Sequence, residues 1–230
     1  MGNPGASSLT MDVAPYRLSG VVYGTLLNHR AALDALGDTV ELPPYKGRPK
    51  APILYVKPRN TLAADGDTVV VPSEVSELEL GATLGIVIGR PACHLSAANA
   101  RDFIAGYVLM NDLSIPHLPY YRPSVRFKAR DGFCPIGPRV VASAEVGNPD
   151  ELTLRVHVDG KLKQEWHTRD LIRPVGVLLA EVTDFMTLAP GDILAVGVAA
   201  PAPRVRAGQS TSIEAVGFGR LRNTFIGEAS

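Results

Sequence analysis

The chain has 230 residues, 46% of them hydrophobic and 20% charged, enough to bury one large core or two small ones and too apolar to stay disordered. Basic and acidic side chains balance at 23 each, which argues against a nucleic-acid partner or an anionic membrane surface, so any cationic site has to be local.

Residues 1–17 read as a flexible tail with neither the basic start nor the apolar core of an export signal, and no later apolar run reaches the length of a membrane span; a cytoplasmic protein is expected. Strand-like segments come next at Leu18 to Tyr23, Ile53 to Lys57 and Thr68 to Val71, each bounded by Gly, Pro or Asp. Between the first two, Leu26 to Leu36 predicts a helix with Leu26, Leu27, Leu33 and Leu36 near one face and a stop at Gly37. Leu84 to Ile88 is a continuous apolar run, as expected of a strand covered on both faces. Ser96 is placed to cap a helix reaching about Ala105, and Tyr107 to Met110 reads as another covered strand.

From Leu152 to Val158 apolar residues fall at every second position. Asp159-Gly160 then signals a hairpin into Lys161 to Trp166, which leaves His157 on the polar face. Pro174 opens a third helix to about Met186 with Val177, Leu178, Val182 and Phe185 inward, and Pro190 to Asp192 turns the chain into a strand at Ile193 to Val196. Neither Cys93 nor Cys134 belongs to a CxxC or Cys/His metal spacing. With no repeat or dividing linker, residues 18–230 are expected to form a single α+β domain.

The longest structureless stretch, Ser114 to Pro138, is where function is most expected. It carries Arg122, Arg126, Lys128 and Arg130 among Tyr120, Tyr121 and Phe127, stiffened by several prolines. A solvated basic loop is the ordinary explanation; a preorganised cationic loop with aromatic walls also suits a small ligand bearing carboxylates. Asn111-Asp112 and Lys57-Pro58-Arg59 end predicted strands and bring a carboxylate and two more cations within reach of such a site.

Several blocks in order, Tyr23 to Asn28, Tyr55 to Pro58, Leu84 to Gly89, Ala105 to Asp112, Lys128 to Pro138, Val158 to Gln164 and Leu188 to Asp192, resemble the successive signatures of the fumarylacetoacetate-hydrolase superfamily over roughly residues 19–227. The resemblance implies a mixed β-sheet rolled into a barrel-like sandwich with a few peripheral helices. Leu42 to Lys46, Pro52 to Thr61, Ser114 to His117 and Tyr121 to Arg126 are similar to the decarboxylase half, or separate small subunit, of the bifunctional isomerase/decarboxylases of 4-hydroxyphenylacetate degradation. That similarity implies a carboxy-lyase, with coupled isomerisation, acting on 5-oxopent-3-ene-1,2,5-tricarboxylate or a similar 2-oxo polycarboxylate. It also implies pairing, as a homodimer or with a sister isomerase subunit.

The superfamily normally binds magnesium through a Glu-x-Glu before its Leu84-to-Gly89 block and through the Asp of its Asn-Asp block. Here the two Glu positions hold Gly81 and Thr83, leaving Asp112, while Glu77 and Glu79 lie four residues early and need a bulge to converge on it. No cofactor is therefore expected, with magnesium at Glu77, Glu79 and Asp112 the fallback. The usual His of the family falls at Ala32, with His29 offset, and a family Gly-Thr-Pro reads Gly197 to Ala199. The expected catalytic set is Lys128, Lys57 and Asp112, with Arg122, Arg126, Tyr121 and Gln164 binding substrate. Two other readings stay open: a silent scaffold subunit that partners a metal-bearing homologue, and a metal-dependent acylpyruvate hydrolase or 2-hydroxyhepta-2,4-diene-1,7-dioate isomerase.

Overall fold

Alternation in Thr153–Val158 buries Leu154, Val156 and Val158 and leaves the residues between them partly exposed, so this segment is a strand with one core-facing side. Asp159 and Gly160, both at positive φ, return the chain antiparallel into Lys161–His167. Ala82–Ile88 has no such alternation and is buried at every residue, which places it at the centre of a sheet covered on both faces. These relations come from a computed structural model that describes residues 20–117 and 124–228. The expected tail at 1–17 and the candidates Tyr121 and Arg122 lie outside the described residues.

The strands in chain order are β1 (Val22–Leu26), β2 (Ile53–Lys57), β3 (Leu62–Ala63), β4 (Thr68–Val71), β5 (Leu78–Glu79), β6 (Ala82–Ile88), β7 (Ile104–Asn111) and β8 (Cys134–Pro135). They continue as β9 (Val141–Ala142), β10 (Thr153–Val158), β11 (Lys161–His167), β12 (Ile193–Ala195), β13 (Arg204–Val205), β14 (Ser210–Ala215) and β15 (Gly219–Gly227). The helices are α1 (Arg30–Asp34), α2 (Val125–Lys128) and α3 (Val175–Phe185), with short 3-10 turns elsewhere. A six-stranded sheet runs β2-β1-β12-β6-β7-β9 and a five-stranded sheet β11-β10-β14-β15-β4; β5 with β13, and β3 with β8, form two-stranded ribbons. Pairing is antiparallel except for β1 with β12, β15 with β4 and β3 with β8.

Both large sheets contribute to one core. Leu84, Ile86, Leu109 and Leu194 of the first pack in the same cluster as Leu154, Val156, Ile213 and Phe225 of the second, with Leu178, Leu179 and Val182 of α3. The mixed, mostly sheet α+β class therefore holds. The barrel does not: each large sheet ends on two edge strands, and no closed barrel forms among the described residues.

Helix predictions fared less well than strands. Leu26 is still in β1, opposite Ile53, and Leu27 turns the chain at φ 56°, so only Arg30–Asp34 becomes helical. The leucines predicted to share a face nevertheless meet, since Leu26, Leu27, Leu33 and Leu36 all pack in a small cluster with Val40. Ser96 accepts from the Asn99 amide, yet the chain beyond it forms only the 3-10 turn Ala100–Phe103, because Ile104 and Ala105 join β7 and strand pairing overrides the helical pattern. In α3, Phe185 is 64% exposed, and Val175 and Leu179 take the inward positions with Leu178 and Val182. No helix among the described residues is long and apolar enough to cross a membrane.

Candidate active site

Three strand and helix ends meet at one carboxylate. β7 delivers Asn111-Asp112, β2 ends at Lys57, and the last residue of α2 is Lys128. The Asn111 side chain accepts from the Gly81 amide at 2.9 Å and the Asp112 amide donates to the Gly81 carbonyl at 2.8 Å, which locks the end of β7 against the start of β6. This contact is so close that a Cβ on Gly81 would lie 2.2 Å from the Asp112 carbonyl oxygen. The position that holds a metal-binding Glu in the superfamily thus has no room for any side chain on this backbone.

Asp112 meets a cation at each oxygen. Lys57 Nζ lies 2.9 Å from Oδ1, Lys128 Nζ donates to Oδ2 at 2.7 Å, and the Tyr55 hydroxyl also donates to Oδ2. The side chains of Lys57, Asp112 and Lys128 are only 1%, 3% and 10% exposed. Lys57 donates in addition to the carbonyls of Leu113 at 3.2 Å and Lys128 at 2.7 Å, so three oxygens surround its ammonium. Lys128 Nζ sits 4.9 Å from the centre of the Tyr55 ring. The ring reaches across β1 because its partner there is Gly24, where a Cβ would come within 2.0 Å of the ring.

Burial by itself would push the Asp112 carboxyl up, but the ammonium groups of Lys128 and Lys57 and the hydrogen bonds from Lys128 and Tyr55 outweigh it and hold the group below the usual carboxylate range. Burial and the neighbouring Asp112 charge keep the Tyr55 phenol protonated well above its ordinary range. Lys128 is lowered by burial and by Lys57, against the attraction of Asp112. Burial likewise pushes the nearby Cys134 thiol up to about 12, so it carries no reactive thiolate.

Lys128, Asp112 and Tyr55 form the polar floor of a cavity of about 370 Å³. Its walls are apolar, from Leu26, Leu27, Ala32 and Ala35 and from Val198 to Ala202, and Thr25, Ser114, His117, Glu79 and Arg204 add polar groups to the lining. Lys57 stays behind the floor. The Thr25 hydroxyl is buried and lacks a partner among the described residues. His117 stacks on Phe127 with ring centres 4.6 Å apart. Arg204 stands opposite Glu79 in the β13–β5 pair and bonds Glu77 as well. This few-polar, mostly apolar concavity is the usual form of a small-molecule site. A larger hollow of about 560 Å³ is lined by Asn148, Asp150, Glu151 and His167, and of its two carboxylates Asp150 accepts from the Val175 amide at the start of α3.

The structure brings together Lys128, Lys57 and Asp112 and places other expected members of the site apart from them. Arg126 precedes Lys128 by two residues on α2, roughly 200° around the helix, and is exposed outside the cavity. Gln164 donates its amide to the Pro201 carbonyl at 2.7 Å and so stands behind the wall. Glu77 is taken by Arg204 and Arg206, and Glu79, although at the rim, faces Arg204; the two do not converge with Asp112. Thr83 spends its hydroxyl on the Gly197 carbonyl at 2.7 Å. His29 caps α1, with its ring edge-on to Trp166. Among the described residues no three His, Cys, Asp or Glu side chains are grouped to hold a metal ion, and the carboxylate at the floor is engaged by two lysines and a phenol. The donor set does not fit magnesium. Sequence reading missed Tyr55, Thr25, His117 and Arg204 as cavity residues; only the place of Tyr55 two residues before Lys57 hinted at the first.

Residues 21–226 match the family model described as fumarylacetoacetate (FAA) hydrolase C-terminal, and the chain belongs to that family. Over 211 residues, 92% of this chain, it is 36% identical to the 4-hydroxyphenylacetate degradation bifunctional isomerase/decarboxylase of Escherichia coli, of which it covers 48%; the chain thus spans about half the length of that relative. Its fold is similar to that of a 5-carboxymethyl-2-hydroxymuconate delta-isomerase from Mycobacterium smegmatis, with a TM-score of 0.78 and 28% identity over 92% of this chain and 80% of that one. It is also similar to a maleylpyruvate hydrolase from Sphingobium sp. SYK-6 seen with manganese(II) and pyruvate, at a TM-score of 0.75 and 25% identity over 91% of this chain and 71% of that one. Membership in a family of isomerases, hydrolases and a decarboxylase supports enzymatic character.

Proposed function

We propose that the chain is a decarboxylase of 5-oxopent-3-ene-1,2,5-tricarboxylate or a closely similar 2-oxo polycarboxylate of aromatic catabolism, and that it works without a metal ion. The observation that carries this reading is that Asp112, with Gly81 and Thr83 at the two Glu positions, is paired with two lysines, one of them on the cavity floor. In such a substrate the departing carboxylate is joined through a carbon–carbon double bond to the ketone. Its electron pair therefore runs to the ketone as carbon dioxide leaves, and positive charge beside that group lowers the barrier. One preorganised donor in a dry site contributes roughly 3 kcal/mol to a transition state of this kind. Lys128 supplies the charge, while Lys57, Asp112 and Tyr55 position it. Leu26, Leu27 and the Val198-to-Ala202 wall cover the carbon chain.

The absent carboxylate trio also favours a second reading, a silent subunit that scaffolds a metal-bearing sister. Carbon dioxide release from the tricarboxylate by the purified, chelator-treated chain separates them. Full turnover in chelator is expected. Turnover only after a sister subunit is added would establish the scaffold instead, and rescue by magnesium alone would overturn the metal-free reading.

A further inference from the structure

We propose that Lys128 is a covalent catalyst: its Nζ condenses with the 2-oxo carbon of the substrate, and the resulting imine is the electron sink for decarboxylation. This rests on the decarboxylase reading and deepens it, from a charge standing beside the ketone to a charge bonded in its place.

Two lysines share one buried carboxylate, and Tyr55 is a neutral phenol, so with both lysines protonated the cluster holds a net positive charge away from water. Glu79 at the rim also attracts Lys128, although it shares its charge with Arg204 at 3.6 Å. Lys57 is not placed to act on a substrate, because its Nζ donates to the carbonyls of Leu113 and Lys128, lies 2.9 Å from Asp112 Oδ1 and stays outside the cavity lining. Lys128 has Asp112 Oδ2 as its one acceptor among the described residues. As a free amine it keeps an N–H on that oxygen and turns its lone pair to the cavity it lines. Burial together with an adjacent ammonium is the setting in which lysines become carbonyl nucleophiles. The direction of the shift at Lys128 agrees. Rival nucleophiles among the described residues are less well placed: Cys134 is a buried thiol outside the cavity lining, the Thr25 hydroxyl has no neighbouring base among its contacts, and the Ser114 hydroxyl, 3.3 Å from His117 Nδ1, donates to the Ile115 carbonyl.

In the reaction the amine lone pair attacks the ketone carbon while the carbonyl π pair moves to oxygen. The adduct takes up one proton and expels that oxygen as water, leaving a protonated imine. Cleavage of the bond to the departing carboxylate releases carbon dioxide and sends its electron pair through the conjugated double bond to the imine nitrogen, giving a dienamine. Protonation at carbon restores an imine, and water then returns the product ketone, the lysine amine and the proton first consumed. No oxidant or reductant is required.

The test is reductive trapping. The full chain is incubated with pyruvate, and separately with the tricarboxylate, in sodium borohydride, and its mass and peptides are measured. The expected adduct with pyruvate adds the mass of the acid less one oxygen and maps to Lys128. Lys128→Arg keeps a cation beside Asp112 and cannot form an imine, so it should show no adduct and lose turnover by more than the roughly 10²–10³-fold expected for one electrostatic donor. Its melting temperature, and that of Lys128→Met, reports whether either variant is folded. No adduct on the wild-type chain overturns the proposal, as does Lys128→Arg with turnover near wild type. An adduct at Lys128 without carbon dioxide release leaves the imine standing and removes the decarboxylase reading.

Discussion

Lys57 faces three oxygens and Lys128 one, and that difference divides their work. A fully surrounded ammonium behind the floor ties Asp112, the residue after it and the last carbonyl of α2 into one rigid unit, so Lys57 is a positioning residue. Lys57→Met leaves Asp112 with only Lys128 and Tyr55 and strands two carbonyls. Removing one partner of a buried ion pair costs about 3–5 kcal/mol, and urea unfolding should show a loss of that size. A change below about 1 kcal/mol would mean that the cluster is not structural. Lys57 and Lys128 were both legible as candidates because they stand in recognisable blocks, but nothing in their neighbours along the chain says which one touches substrate. Arg126 illustrates the limit: a charge cluster cannot reveal that a single helical turn sends one cation inward and another out.

At the level of elements, the pairing of β1 with β2 determines where Tyr55 goes. Its register sets Gly24 opposite Tyr55, and only a residue without a Cβ lets the ring cross to Asp112. Gly24→Ala should therefore displace the ring, cost about 1–3 kcal/mol by overpacking and impair activity. Combining it with Tyr55→Ala should cost less stability than the two single losses added together, and should not restore the activity, because the two substitutions act on one contact. Additive losses in thermal denaturation would argue against the contact. β4 and β10 follow their alternation closely, since half-buried strands write their two faces into the sequence. The helix expected at Leu26 shortened because its first residue pairs in β1 with a partner 27 residues away that no local window contains.

Taken whole, the molecule is two open sheets around one core, carrying a cavity walled by β1, α1 and the segment after β12. The Escherichia coli relative is about twice as long as the matched region, which motivates the proposal that this unit pairs with a second copy or a sister subunit. Sedimentation of the purified chain is expected to give twice 24.5 kDa, and a monomer at working concentration would contradict the homodimer. The family and strand-rich class were determined by the sequence alone, because apolar periodicity and ordered motif blocks are properties of neighbours along the chain. That Asp112 is clasped by two lysines and a phenol, and that Glu77 and Glu79 are spent on arginines, was decided only in three dimensions. Charges pair across distances of a few ångströms between segments dozens of residues apart, and which partners come that close depends on sheet register and helix rotation.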